Sequence, residues 1–406
     1  MAGAHAGRRS RLSPTRADVV VIGAGPAGCV AAYQLATRGV DVLLVDRATF
    51  PRDKVCGESA SPGAVARLRE IGMWEPDTRR GASSTNTLEN GMPIQGMRIR
   101  SPRGTSFLGR YRRNGNGPGV AIRRTALDTG LLAKARDRGV RIMEGVEAHR
   151  SEIARDGEAV VHLRDARGRA TFEVTAKRAI VADGRRSFIA RALGFINDHE
   201  SGRGPKRFAV RAHCEAVSGL TDLAEMHVGH RGYCGIAPLS STTANVCYVE
   251  FGDRLEMTPR TLSRDFWRDL GRYPEIAERL CSARVQGEIR VVGPLCLTSN
   301  RQTRGPFIAC GDTSGFLDPF TGEGIAHAIA SGVLGADAVT RSVNGDADAF
   351  RGYERQLRSL RRVKGTAARM LHALVARPRL ADAAATLFAR VPHLADHAVQ
   401  LFGDQI

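Results

Sequence analysis

Gly23, Gly25 and Gly28 stand in the spacing Gly-x-Gly-x-x-Gly, directly after the apolar run Ala17–Ile22. Each glycine answers a separate steric need. Gly23 permits a tight turn, Gly25 lets a pyrophosphate approach the backbone, and Gly28 lets a following helix pack on the strand. Amides at the start of that helix, Ala27 among them, would hold the phosphates with the helix dipole behind them. Asp46 lies 18 residues beyond Gly28, at the end of the next apolar run, with Arg47 beside it. A carboxylate there binds the hydroxyls of an adenosine ribose. The chemistry is dinucleotide binding, and this unit alone does not separate NAD from FAD.

The elements that must position these groups are legible around them. Ala17–Ile22 reads as a buried parallel strand, because it is a short valine-rich run ending at glycine. Pro26–Arg38 has helical spacing and stops at Gly39; Val40–Val45 then closes a βαβ unit. Further on, Ser61–Ile71 predicts a helix, and Ile94–Ile99 and Thr105–Leu108 predict strands. Thr125–Arg138 carries Leu127, Leu131, Leu132 and Ala135 on one helical face. Val140–Met143, Val160–Leu163 and Thr171–Val174 read as an antiparallel patch turning at Asp165–Gly168, and Ala179–Ala182 as a separate buried strand. From about 205 to 292 the pattern changes to alternating strands interrupted by a helix at Leu262–Gly271. Phe307–Cys310 is again a buried strand, Gly324–Arg341 a small-residue helix, and Phe350–Phe402 helical throughout.

Two more strand-to-helix junctions carry polar motifs. Val181-Ala-Asp183-Gly184 leads through Ser187 towards Arg191, and Gly311-Asp312 leads through Asp318-Pro319-Phe-Thr-Gly322-Glu-Gly324-Ile325. With Arg124 placed three residues before Leu127-Asp128, these motifs and the glycine run resemble the flavoprotein hydroxylases and reductases that share the para-hydroxybenzoate hydroxylase type of FAD domain. The resemblance spans roughly residues 18 to 340. It implies that Asp312 binds the ribityl chain, that the amides of Gly324 and Ile325 face the flavin, that Gly311 and Gly322 also bind the cofactor, and that Pro319 lies against the ring. A helix start at that point stabilises the anionic reduced flavin. Arg124 and Asp183 would contact the cofactor. NAD(P)H, bound transiently, is the implied electron donor, or else a separate reductase.

Phe50-Pro51-Arg-Asp-Lys54-Val-Cys56-Gly57-Glu58-Ser59 resembles the geranylgeranyl reductase and flavin halogenase branch. There Cys56 would lie beside the flavin. Lys54 and Glu58 read as solvated neighbours, and His327 as structural. Where polyprenyl reductases carry Tyr-x-Trp-x-Phe-Pro, this chain has Tyr233-Cys234-Gly235-Ile236-Ala237-Pro238, which widens the pocket and keeps it apolar. The Trp-x-Trp-x-Ile-Pro box of halogenases is absent, with Trp74 and Trp267 isolated. Two activities follow from the resemblance. The first is a monooxygenase acting on an aromatic or polyketide-like lipophilic substrate; the alternative is a reductase of carbon–carbon double bonds in an isoprenoid or lipid. Cys56, Tyr233 and Pro319 are the catalytic candidates.

Composition excludes other classes. The chain has 406 residues and a net charge of +18, but only 5% aromatics, and its arginines are spread along the whole length. Nucleic-acid binding is therefore not expected, since base stacking lacks platforms. The charge suits contact with an anionic membrane surface or an acidic carrier protein. Eight cysteines without Cys-x-x-Cys spacing fit reduced thiols in the cytoplasm and no metal site. The expected fold is α/β: a Rossmann-like FAD-binding domain of the glutathione-reductase type, interleaved with a mostly antiparallel substrate sheet and followed by a helical tail. The divisions are 1–16 as a disordered arm; 17–90, 110–195 and 293–349 as the FAD-binding domain; 91–109 and 196–292 as the substrate-binding domain; and 350–406 as the helical module.

Overall fold

The computed structural model describes residues 15–74, 91–111, 117–168, 170–197, 206–252, 257–295, 297–299, 301–315, 322, 324–375 and 377–403. The chain opens with β1 (Thr15–Ile22), α1 (Pro26–Thr37) and β2 (Val42–Asp46), followed by β3 (Ser59–Ala60), α2 (Pro62–Glu70), β4 (Met92–Ile94), β5 (Gly96–Arg100), β6 (Ser106–Arg110) and β7 (Gly119–Ala121). Next come α3 (Arg124–Asp137), β8 (Arg141–Glu144), β9 (Val146–Ile153), β10 (Ala159–Asp165), β11 (Thr171–Val181) and α4 (Phe188–Ala192). Then follow β12 (Arg207–Glu215), β13 (Leu223–Val228), β14 (Gly232–Pro238), β15 (Ala244–Phe251), α5 (Leu262–Leu270), α6 (Pro274–Arg279) and β16 (Arg284–Val292). The chain closes with β17 (Thr303–Arg304), β18 (Phe307–Ala309), α7 (Gly324–Val343), α8 (Ala349–Val375), α9 (Pro378–Arg390) and α10 (Pro392–Gly403).

Two large sheets organise these elements. The first runs β17-β18-β11-β1-β2-β8, with β10 and β9 extending from the start of β11. β1 lies parallel between β11 and β2, which places the glycine turn at the carboxyl end of the sheet. That end is where open α/β sheets bind their ligands. Alternation along β1 sends Val19 and Val21 towards α1, α3 and α7, and Val20 and Ile22 towards the β9–β10 hairpin and α4. The faces are apolar on both sides, as a parallel sheet covered twice requires.

The second sheet runs β16-β12-β15-β14-β13-β5-β6. Val210, Ala212, Cys234, Ile236 and Val246 face α5 and α6, where Phe266, Leu270 and Ile276 are buried. Ala209, Met226, Tyr233 and Val249 face the other way, towards Val55 and Leu295. α10 lies so close to β6 that a side chain at Gly109 would meet Ala395 and Val399. α7 crosses α1 equally closely: a Cβ at Gly332 would stand 2.6 Å from the Ala27 carbonyl.

Several expectations from the sequence need correction. Val140–Met143 is no part of an antiparallel patch; β8 pairs parallel with β2. Thr171–Val174 and Ala179–Val181 belong to one strand, which pairs antiparallel with β10 at its start and parallel with β1 from Val174 to Val181. Ile94–Ile99 divides at Gln95 between two sheets, because β4 pairs with β7 while β5 joins β13. The tail is three helices, since Pro378 and Pro392 each begin a new one and remove a helical donor. Thr15 and Arg16 pair with β11, so the arm drawn at residue 16 ends earlier; residues 1–14 lie outside the described residues.

Candidate functional site

A cleft of about 610 Å³ opens where the carboxyl end of the first sheet meets the second. It brings together Gly25, Ala27, Arg47, Cys56, Arg124, Asp183, Gly311, Asp312, Gly322, Gly324 and Ile325. These residues are spread along the chain from Gly25 to Ile325. Most are delivered by the end of a strand or the start of a helix, and Cys56 by the loop between β2 and β3.

At one end, α1 begins at Gly25 with Pro26 in its first turn. Gly23 (φ +100°) and Gly28 shape this end without lining it, because a side chain at either would run into backbone. Asp46 also stands back from the cleft. Its carboxylate accepts hydrogen bonds from the amides of Ala24 (2.7 Å) and Ala48 (2.8 Å), which fixes the turn. In the middle, the amide of Gly184 donates to Thr313 Oγ1 (2.9 Å), and that of Gly311 donates to Ser331 Oγ (2.8 Å), tying both polar turns together. Thr313 and Ser331 carry no motif signal, and sequence reasoning missed them.

Asp183 is a buried carboxyl whose Oδ1 has no hydrogen-bond partner. Burial raises its pKa to about 6, against the lowering hydrogen bond of Ser187. In the folded chain Asp183 therefore binds a proton in a window where the unfolded chain does not. Its contribution to stability falls as pH rises from about 4 to about 6 and stays low above that. Asp183→Asn is expected to remove this component, so that the loss of Tm across that window in the ligand-free protein becomes shallower. Thermal melts at the two ends of the window check it.

At the other end, Asp312 lies 3.6 Å from Lys54 Nζ, and Gly324 and Ile325 open α7 into the cleft. Pro319 lies outside the described residues. Arg124, at the start of α3, is buried and forms a two-pronged pair with Asp128 (2.9 and 2.8 Å), which Arg52 also meets at 3.0 Å. Burial works against the Arg124 charge, but Asp128 and the Cys56 sulfur outweigh it and keep the guanidinium protonated. Cys56 Sγ also accepts the amide of Glu58 (3.4 Å).

Glu58 is not solvated. It is fully buried, with a left-handed backbone (φ +56°). Its carboxylate meets the Arg124 amide (2.8 Å), His213 (2.6 Å) and Asn245 (3.1 Å). Tyr233 is likewise displaced from expectation. It is core, edge-on to Phe251 at 6.1 Å, and lines neither this cleft nor the chamber next to it. It shares one face of β14 with Gly235 and Ala237, and those two small residues line the chamber. His327 approaches Ser314 Oγ at 3.3 Å.

The chamber, about 70 Å³, is lined by Gly57, Ser59, Met97, Tyr111, Met226, Gly235, Ala237 and Cys247. It shares Gly57, Ser59, Cys247 and Gly322 with the larger cleft, so the two meet at the Cys56 loop.

The cleft suits an elongated dinucleotide with a ring at one end. It has a glycine cradle and a helix start for phosphates, a carboxyl at Asp183 with one oxygen unpartnered, and a second helix start at Gly324. FAD would be held by Gly25, Ala27 and Arg47 at its adenosine end, by Asp312 along its ribityl chain, and by Gly324 and Ile325 at its ring.

Comparison with known proteins agrees with this geometry. A menaquinone reductase of Mycobacterium tuberculosis is 30% identical over 349 residues, covering 79% of this chain and 76% of that protein. A digeranylgeranylglycerophospholipid reductase of Methanothrix thermoacetophila is 28% identical, covering 84% and 83%. The structure of a flavin-dependent brominase superposes with a TM-score of 0.79 at 20% identity, covering 96% and 94%, a likeness of fold. Residues 16–350 match the FAD binding domain family. The chain belongs to that family and is an FAD-dependent oxidoreductase.

Proposed function

We propose that this oxidoreductase reduces a carbon–carbon double bond in a lipophilic, isoprenoid-type substrate. The observation that carries the reading is the position of Cys56. Its thiol lines the same cleft as Gly324 and Ile325, beside the buried Arg124 guanidinium and at the mouth of the chamber. Bound FAD, once reduced by a nicotinamide donor, supplies a hydride. The chain supplies the rest. Cys56 Sγ gives up the balancing proton, and Arg124 stabilises the charge left on sulfur. Met97 and Met226 give the chamber an apolar wall, while Gly235 and Ala237 make room for a branched chain. The menaquinone and digeranylgeranylglycerophospholipid reductases support this substrate class.

Exposed Leu380, Leu387 and Leu394, on α9 and α10 among Arg379, Arg390 and His393, support contact with a membrane surface that holds such a substrate. No helix among the described residues is long and apolar enough to cross a membrane.

Anaerobic incubation of the holoenzyme with NAD(P)H and menaquinone or a geranylgeranyl lipid tests the proposal. Gain of two hydrogens by mass spectrometry is expected, and none with any such lipid rejects it. Cys56→Ser is expected to keep its FAD and lose about 10²-fold in turnover, the scale of one general acid. Oxygenation of an aromatic or polyketide-like substrate is the second reading, favoured by the chamber that Gly235 and Ala237 leave open to a planar ring. Substrate-coupled oxygen consumption would select it.

A further inference from the structure

Glu58 has no part in the steps above, yet four elements converge on it. Its carbonyl accepts the amide of Ile122 (2.8 Å), and its carboxylate joins the start of α3 to β12 and β15. The three groups that hold the carboxylate are a backbone amide, the Asn245 amide and the His213 imidazole. Among the described residues, His213 is its only ion-pairing neighbour. The nearby arginines are engaged elsewhere, Arg124 by Asp128 and Arg211 by Asp53. The Arg211 Nη1 lies 3.3 and 3.5 Å from the two ring nitrogens of His213. Arg211 therefore stands beside the imidazole, while Asp53 holds the other terminal nitrogen of the guanidinium. His213 Nε2 holds Glu58 Oε2 at 2.6 Å. The result is a buried carboxylate with no arginine or lysine paired to it among the described residues, held by a backbone amide, an amide side chain and an imidazole on the wall of the cleft that fits the flavin.

We propose that Glu58 is a redox-linked proton acceptor, taking up one proton through His213 when the cofactor beside it is reduced. Two electrons delivered by a nicotinamide or dithionite donor bring negative charge into a low-dielectric space, which raises the proton affinity of this carboxylate. A proton from solvent binds His213 Nδ1, and the Nε2–H bond breaks as the O–H bond forms on Glu58 Oε2. His213 passes on one proton for each one it takes up, so its own proton count is unchanged. The other charged or titratable groups around Glu58 are Cys56 on its own loop, Asp53 and Lys54 before it, Arg124 and Asp128 on α3, Arg211 on β12 and Cys247 on β15. The inference needs FAD binding alone and stands whichever substrate is reduced or oxygenated.

The test is the midpoint potential of the FAD-loaded full chain as a function of pH, above neutrality and without substrate. The wild type is expected to take up two protons per two electrons and Glu58→Gln one, so the slope halves in the variant. The reduced-minus-oxidised infrared spectrum should gain a carboxylic acid C=O band that shifts with ¹³C-labelled glutamate. His213→Gln keeps a donor but cannot relay, so the rate of proton uptake, read with an indicator dye, should fall at least about tenfold. Equal slopes in wild type and Glu58→Gln overturn the proposal. Absence of the labelled band overturns it too, and that measurement needs only the wild type. An unchanged uptake rate in His213→Gln overturns the route through His213.

Discussion

Gly28→Val is expected to give a folded chain that purifies without its flavin. A Cβ at this position would run into the Gly23 carbonyl oxygen and press on Val21, so α1 must move away from β1. The turn cannot follow, because Gly23 is itself wedged at φ +100° against the backbone of Ala182 and Asp183. The amides of Gly25 and Ala27 therefore leave the phosphate position. Overpacking of this kind costs about 1–3 kcal/mol, and because the strain falls on the binding conformation, FAD affinity should drop about 10²-fold. Visible absorbance after purification and fluorescence titration with FAD measure it, with circular dichroism to confirm folding. Full flavin retention would mean that Gly28 does not set the distance between strand and helix.

Asp128→Asn carries the second large effect, on stability. The Asp128 side chain is wholly buried and serves two arginines, Arg124 through both oxygens and Arg52 at 3.0 Å. The amide keeps the shape and removes the charge, which leaves the Arg124 guanidinium in the interior without a counterion. Breaking a buried pair from one side costs about 3–5 kcal/mol, a fall in Tm of about 5 °C for a chain of this size. Arg124→Met added to Asp128→Asn should recover part of that loss, since the orphaned charge is gone. A Tm within a degree or two of wild type in the single variant would place the pair's energy elsewhere. Chemical denaturation of the FAD-free protein separates this effect from cofactor binding.

What could be read in advance follows a physical divide. The glycine turn, α1 and β2 were legible because each obeys a local rule: apolar runs of strand length, a helix opened by Pro26, a stop at Gly39. The residues that line the cleft from afar, Asp183, Asp312, Gly324 and Ile325, were legible through motif resemblance. Glu58 was not, since nothing in Cys-Gly-Glu-Ser tells a solvated acid from one buried by β12 and β15, some 150 residues away in sequence. Tyr233 misled for the opposite reason. Its neighbours mark the right strand, but on β14 it sits at the Phe251 end of the face, and Gly235 and Ala237 stand at the chamber. The division of Ile94–Ile99 between two sheets was equally hidden, because both halves have strand composition and only their partners differ.

The close crossing of α1 and α7 bears on how the protein is made. α1 leaves the ribosome early, while the helix that seats on it, through Gly332 against the Ala27 carbonyl, emerges some 300 residues later. Until then the glycine cradle has no opposite wall, and neither Asp312 nor Ile325 exists to grip a ring. Flavin loading is thus a late event in synthesis, and any product broken off before α7 leaves the ribosome with half a binding site and an uncovered face on its first helix.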